Sequence, residues 1–195
     1  MATPTASPPT EAGPGATAFV GLGANLGDAR ATLRAALGEL RALAAPGSFA
    51  ASALYGSAPV DSSGPDYVNA VARLRTALAP HALLDALQAI ERRFGRERPY
   101  RNAPRTLDLD VLLYGVEGDA GGITLHDERL TLPHPRAAQR AFVLEPLAEL
   151  WPGGHVPGHG HVGELLAAAR RDPTQRVLRE GSGVGGLEGS GAAGA

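Results

Sequence analysis

Residues 101–114, RNAPRTLDLDVLLY, restrict the fold of this chain more than any other stretch. From Thr106 onward Leu107, Leu109, Val111 and Leu113 fall on one parity and Asp108 and Asp110 on the other, which is the period of a half-buried strand. The two acids therefore share one face. At roughly 3.3 Å rise per residue their Cα atoms stand about 6.7 Å apart, so both carboxylates can reach one hard cation, or two cations that share a polyphosphate. An edge strand whose acids merely pair with nearby arginines is the alternative reading of the same pattern.

The segment before this strand carries Arg92, Arg93, Arg96, Arg98, Arg101 and Arg105, interrupted by Gly95, Pro99 and Pro104. Arginine binds phosphate oxygens bidentately and stays charged, so a loop of this kind beside paired carboxylates suits a migrating phosphoryl group. The chain has no lysine, and Arg92 and Arg93 equally fit the solvated last turn of a helix.

A length of 195 residues with 44% hydrophobic content predicts one domain with a real core. The net charge of −2 gives no global attraction to nucleic acid or anionic membrane, which makes the arginine cluster a local feature and favours small or anionic ligands. The lack of cysteine excludes disulfides and thiolate chemistry and suits a cytoplasmic protein. No run is long enough to cross a bilayer. Residues 1–15 have neither a basic n-region nor an apolar h-region and are expected to be a disordered leader. From 181 to 195 the chain is Gly, Ser and Ala with almost no apolar anchor, and a flexible tail is expected there. The domain is then 16–180.

Within it, Ala16 to Leu22 has strand length and runs into a permissive turn, Gly23 to Gly27. Asp28 caps a helix in which Leu33, Leu37 and Leu40 recur until Pro46 and Gly47. The glycine-rich turn is a weak dinucleotide fingerprint and, without lysine, no P-loop. Ser48 to Tyr55 reads as a second strand, followed by a long turn-rich loop to Pro65. Tyr67 to Thr76 alternates so that Tyr67 and Asn69 share a face, which suits a flat heterocycle or, equally, an exposed polar sheet surface. Pro80 opens a helix with Leu83, Leu87, Ile90 and Phe94 on one stripe and Gly95 as its stop, and Glu91 near its end either orients an arginine or lies at the surface. Beyond the Asp-bearing strand, TLPHP holds His134 extended between Arg129 and Arg140, as in a phosphate pocket. A helix is expected from Arg136 to Leu144, a further turn from Pro146 toward Trp151, and a last helix from Glu164 to Arg171. His155, His159 and His161 lie in a glycine-rich segment, where a solvated loop accounts for them better than a metal site.

The order strand, helix, strand, strand, helix, strand predicts an α+β fold: a ferredoxin-like βαββαβ core, an antiparallel sheet with helices on one face and the other face open for a site, plus a C-terminal helical extension.

GLGANLGD, PDYVNAV, the IE and FGRER segment, APRTLDLDVLLYG and RLTLPHPRAAQRAFVLEPL, in that order from about Phe19 to Leu150, resemble the bacterial 6-hydroxymethyl-7,8-dihydropterin pyrophosphokinase family. The resemblance implies transfer of the β,γ-diphosphoryl unit of ATP to the pterin hydroxymethyl group, release of AMP, two Mg²⁺ ions and the ferredoxin-like fold. By position it implies Asp108 and Asp110 as metal ligands and catalytic residues together with Arg96 and Arg105. Arg98, Arg101, Arg129, His134 and Arg140 correspond to ATP contacts. Tyr67 and Phe142 correspond to the aromatic pair around the pterin, with Asn69 at its polar edge and Ser57 and Glu91 assisting. Asn102 stands where many members carry Trp, and Pro135 replaces an aromatic residue. A monomer acting on small molecules is expected, with no nucleic-acid or membrane partner. The rival readings are another Mg-dependent nucleotidyltransferase, which would release diphosphate, and an RNA-binding module of the same split fold, which would want more aromatics and a basic surface.

Overall fold

In the computed structural model the described residues are 15–59, 64–95 and 106–180. The expected leader, except Gly15, and the expected tail lie outside them, as does the arginine segment 96–105.

Strand β1 (Ala16–Ala24) leads to α1 (Ala29–Ala42), whose first turn is capped by the Asp28 carboxylate accepting the Ala31 amide at 2.9 Å. The second strand expected at Ser48 to Tyr55 is two short pieces, β2 (Ala50–Ala51) and β3 (Tyr55–Ser57), both antiparallel to β4 (Tyr67–Thr76). The interruption is made by Ser52: its Oγ accepts from Val71 N and donates to Ala53 O, so a side chain takes over ladder bonds from the backbone. Helix α2 (Pro80–Arg93) follows, with proline at its first position and Gly95 just beyond its end at φ +75°. Strand β5 (Asp108–Tyr114) then pairs antiparallel with β1.

The remainder consists of a hairpin of β6 (Leu125–His126) and β7 (Thr131–Leu132), a 3₁₀ turn at Ala137–Gln139, and α3 (Ala141–Leu150). A hairpin of β8 (His155–Val156) and β9 (Gly160–His161), α4 (Val162–Ala169) and β10 (Val177–Arg179) complete it. The main sheet is antiparallel in the order β10-β3-β4-β1-β5, with β2 also on β4. Among the described residues no helix is long and apolar enough to cross a membrane.

The single helix expected from Arg136 to Leu144 is instead the 3₁₀ turn and α3, separated at Arg140, whose backbone is extended at φ −107° and ψ 114°. Pro146, expected to begin a new element, lies inside α3. Proline there forfeits one helical bond, and the buried Val143, Leu144 and Leu147 hold the helix in place regardless.

Helices were expected on one sheet face only, and the structure has them on both. Ala18, Val20, Leu22 and Ala24 of β1 pack with Leu33 and Leu40 of α1 and Leu83, Leu87 and Ile90 of α2. Phe19, of opposite parity, joins Val71, Leu112, Val143 and Leu147 of α3, Trp151, and Val162 of α4 in a second core. The chain after β5 therefore covers part of the face expected to be open, because Phe19, Val71 and Leu112 are apolar there. Each such fully buried Leu or Phe contributes about 2 kcal/mol of burial.

Alternation along β5 also breaks. The β1 register shifts between Phe19, opposite Leu113, and Val20, opposite Val111, leaving Leu112 as the extra residue of a bulge. Leu113, expected beside Val111, consequently turns to the second core, and Tyr114 returns to the first.

Candidate active site

The glycine-rich segment expected to leave β1 at Gly23 continues it to Ala24, so Gly21 and Gly23 share a parity with Phe19 on the second face. Register then builds the site around them. Gly23 lies between Asn69 of β4 and Asp108 of β5, and Gly21 lies between Val71 and Asp110. Two strand spacings separate Asn69 from Asp108, a gap about 10 Å wide whose floor carries no side chain. A Cβ on Gly23 would stand 3.5 Å from Asn69 Oδ1 and 4.0 Å from Tyr67 Cδ1, so both side chains border that floor.

On the β4 side Asn69 is nearly buried, at 4% exposure, and its Nδ2 donates to Ser57 Oγ at 2.9 Å and to Tyr55 O at 3.4 Å. Tyr67 stands opposite Ser57 in the ladder. Asn25, which sequence reasoning missed, is buried at the end of β1 and donates from Nδ2 to Pro65 O at 3.3 Å, tethering the segment that enters β4. The signal was a period-two pair, Gly21 and Gly23, followed by the polar Asn25; Gly21 falls in the expected strand, whereas Gly23 and Asn25 were expected in the turn after it.

On the β5 side the Asp110 side chain keeps 46% exposure, and His134 Nε2 lies 4.0 Å from its Oδ2. His134 is held there by its own amide, which donates to Leu112 O at 2.9 Å along the outer edge of β5. The Arg136 amide donates to His134 Nδ1 at 3.2 Å, which leaves Nε2 as the protonated nitrogen of the neutral ring, turned toward Asp110. Burial lowers the His134 pKa; Asp110 and Asp108 oppose this, and Arg140 and Arg136 add to it. The structure thus places Asp108, Asp110 and Arg140 within electrostatic reach of His134.

Phe142 lies at the N-terminal end of α3 against the second core, with the Arg140 guanidinium 5.3 Å over its ring. Arg129 is elsewhere: on the turn of the β6–β7 hairpin it pairs with Asp85 of α2. Arg96, Arg98, Arg101 and Arg105, together with Asn102, lie outside the described residues. Glu91 is fully buried rather than at the surface, and its Oε1 accepts the Leu109 amide at 2.8 Å. His155, His159 and His161 are exposed on the β8–β9 hairpin, where the rings of His155 and His161 meet edge to face at 5.0 Å.

A family model described as 7,8-dihydro-6-hydroxymethylpterin-pyrophosphokinase (HPPK) matches residues 19–152. A 2-amino-4-hydroxy-6-hydroxymethyldihydropteridine pyrophosphokinase of Pseudomonas aeruginosa is 45% identical, over 82% of this chain and 95% of its own. The Haemophilus influenzae enzyme of the same name is 42% identical, over 77% of this chain and 91% of its own. Among solved structures, wild-type Plasmodium falciparum HPPK-DHPS with SDX-DHP superposes with a TM-score of 0.60 at 14% identity, over 79% of this chain. A triple mutant of that protein with pteroate gives 0.64 at 13%, over 87%. This chain spans 44% and 47% of those two solved chains, and at such identity they speak for the fold alone. The class is therefore that of a diphosphotransferase. The chain belongs to the 7,8-dihydro-6-hydroxymethylpterin-pyrophosphokinase family.

Proposed function

We propose that the trough floored by Gly21 and Gly23 is where this family's reaction takes place, with the flat ring on the Asn69 side and the triphosphate over Asp108 and Asp110. The reaction moves the pyrophosphoryl group of ATP to the hydroxymethyl group of 6-hydroxymethyl-7,8-dihydropterin in folate synthesis. Its balance is simple: the hydroxymethyl oxygen bonds the β-phosphorus, the bond from that phosphorus to the α-β bridging oxygen breaks, AMP leaves, and the hydroxyl proton is given up to solvent or a base. One observation supports the assignment above all others: the register that sets an amide and a carboxylate on opposite sides of Gly23.

Asp108 and Asp110 fit Mg²⁺, since they offer hard oxygens from one strand face, and among the described residues no group of three metal-ligating side chains forms. A protein contribution of two carboxylates, completed by phosphate and water, is the usual arrangement for this ion. Two Mg²⁺ ions held by these acids would offset charge on the phosphate oxygens and polarise them. The chain's own residues do the rest by positioning. Tyr67 and Phe142 enclose the ring, Asn69 bonds its polar edge, and His134 and Arg140 contact the nucleotide beside Asp110. Arg129 leaves Asp85 to join them, and Arg96, Arg98, Arg101 and Arg105 come from the adjoining segment. With neither cysteine nor lysine, and with a hydroxyl already on the acceptor, direct in-line transfer needs only alignment and charge neutralisation. The βαββαβ part, ordered β3-β4-β1-β5, is on this reading the ferredoxin-like core.

The test is AMP formation from ATP and Mg²⁺ with and without 6-hydroxymethyl-7,8-dihydropterin, with both products identified. Pterin-dependent AMP in equal yield with pterin diphosphate is expected. Release of free diphosphate with an adenylylated product would instead mark a nucleotidyltransferase.

A further inference from the structure

At one edge of the main sheet, β5, the outward backbone groups are taken: the Leu109 amide donates to Glu91 Oε1, the Leu112 carbonyl accepts from His134 and the Tyr114 carbonyl accepts from Ile123. At the other edge β10 is the last strand among the described residues, and it carries their most exposed large hydrophobic side chain, Leu178, at 76%. An apolar edge of this kind is a template for another strand. The ladder to β3 fixes what it offers. Val177, Leu178 and Arg179 stand opposite Ser57, Gly56 and Tyr55, and one step further the Glu180 amide donates to Leu54 O at 2.9 Å. Antiparallel pairs alternate between bonded and non-bonded, so Leu178 and Glu180 spend their backbone groups on β3 while those of Val177 and Arg179 point outward. Side chains divide the other way. Val177 packs against the α3 and α4 cluster and Arg179 reaches Glu149 of α3, whereas Glu180 pairs with Arg30 of α1 at 2.7 and 2.8 Å. Arg176, Leu178 and Glu180 therefore form one row on the α1 side: cation, apolar group, anion. Turned antiparallel about Leu178, that row is complementary to itself.

We infer that β10 is the interface for a second copy of this chain, which pairs with it antiparallel across a two-fold axis at Leu178 and joins the two main sheets into one. Val177 of each copy then exchanges backbone hydrogen bonds with Arg179 of the other, and the Leu178 side chains meet in the closer, non-bonded pair. Arg176 of each copy lies opposite Glu180 of the other, whose carboxylate has lone pairs beyond the two bonds it accepts from Arg30. Because both copies use the same patch, the contact closes as a dimer and does not run on as a filament. A ladder this short buries well under the roughly 1,600 Å² typical of a stable complex, so the dimer is weak, with a Kd of about 100 μM. The monomer expected from the sequence is then the dilute form. None of this depends on the reaction assigned to the trough.

Sedimentation equilibrium of the full chain from about 10 μM to about 1 mM measures the association, with amide hydrogen exchange at both ends of that range as a second signal. The unaltered chain should pass from monomer to dimer, and the Val177 and Arg179 amides should become protected as it does. Leu178→Asp and Leu178→Lys should each stay native by circular dichroism, the side chain being exposed. Each should weaken association by at least about tenfold, because like charges then meet at the axis. A one-to-one mixture of the two variants should associate as a heterodimer, since aspartate then faces lysine. A chain that remains monomeric at about 1 mM would overturn the inference. So would dimers indifferent to both variants, which would put the contact on another surface, or a mixture that associates no better than its components. Protection of the two amides that does not change with concentration would overturn it as well, and would give the edge to another segment of the same chain.

Discussion

Glu91 Oε1 accepts the Leu109 amide at 2.8 Å, which ties the last turn of α2 to the strand residue lying between Asp108 and Asp110. Strand β5 is at the edge of the described sheet, and the Leu109 N–H points away from β1. A fully buried carboxylate supplies its acceptor where a strand would otherwise be needed. The spacing of the two aspartates is thereby set from a helix that carries neither of them.

Glu91→Ala should destabilise the fold by about 1–3 kcal/mol, because a buried amide loses its acceptor. Glu91→Gln retains an oxygen and should cost less. Urea unfolding of both variants checks the order, and the Mg²⁺ concentration for half-maximal activity should rise in the alanine variant. A normal Mg²⁺ dependence would separate Glu91 from the aspartate geometry.

Asp108→Asn and Asp110→Asn should each lower turnover by about a thousandfold or more, since each removes a charge worth several kcal/mol to a phosphoryl-transfer site. Circular dichroism should remain native, Asp110 being 46% exposed at its side chain. Near-normal AMP formation by both variants would refute their assignment to the metal.

Two alanine substitutions on β1 should part stability from binding. At Gly23 the new methyl group meets only ordinary contacts at 3.5 and 4.0 Å, so stability should change by less than about 1 kcal/mol while the pterin KM rises roughly tenfold. At Gly21 it meets Leu112 Cδ2 at 3.2 Å, and the cost should appear as a lower melting temperature, about 1–2 kcal/mol of overpacking. Melting curves and pterin kinetics on both variants provide the check.

Tyr55 supplies a pH dependence. Burial, and then its bond to Glu149 at 2.8 Å, push its phenol up to about 12. The unfolded phenol loses its proton near 10, roughly its ordinary value, so between the two the unfolded chain holds fewer protons. Stability from this group is complete below about pH 10 and is lost as pH rises through the folded value. Tyr55→Phe should cost about 1 kcal/mol at neutral pH and flatten the loss between pH 10 and 12. Denaturation at several alkaline pH values, with phenolate absorbance as a second signal, measures it.

Much of the fold was legible in local chemistry. Asp28 as cap, Pro80 and Gly95 as the limits of α2, and the alternation from Tyr67 to Thr76 are short-range properties, so α1, α2 and β4 were readable from neighbours in sequence. The Asp108 and Asp110 face was readable for the same reason. Local periodicity and the family motifs laid along it could be read from neighbours along the chain. Contacts between distant residues settled the rest. The bulge at Leu112 depends on pairing with β1, the second core on how the chain after β5 returns over Phe19 and Val71, and the burial of Glu91 on an amide contributed by another element. The roles of Gly21 and Gly23 likewise emerge only from register, because a missing side chain becomes a site floor only when strands on both sides hold side chains around it. Periodicity tells which face a residue shares with its neighbours, whereas contacts between residues distant in sequence set what that face meets.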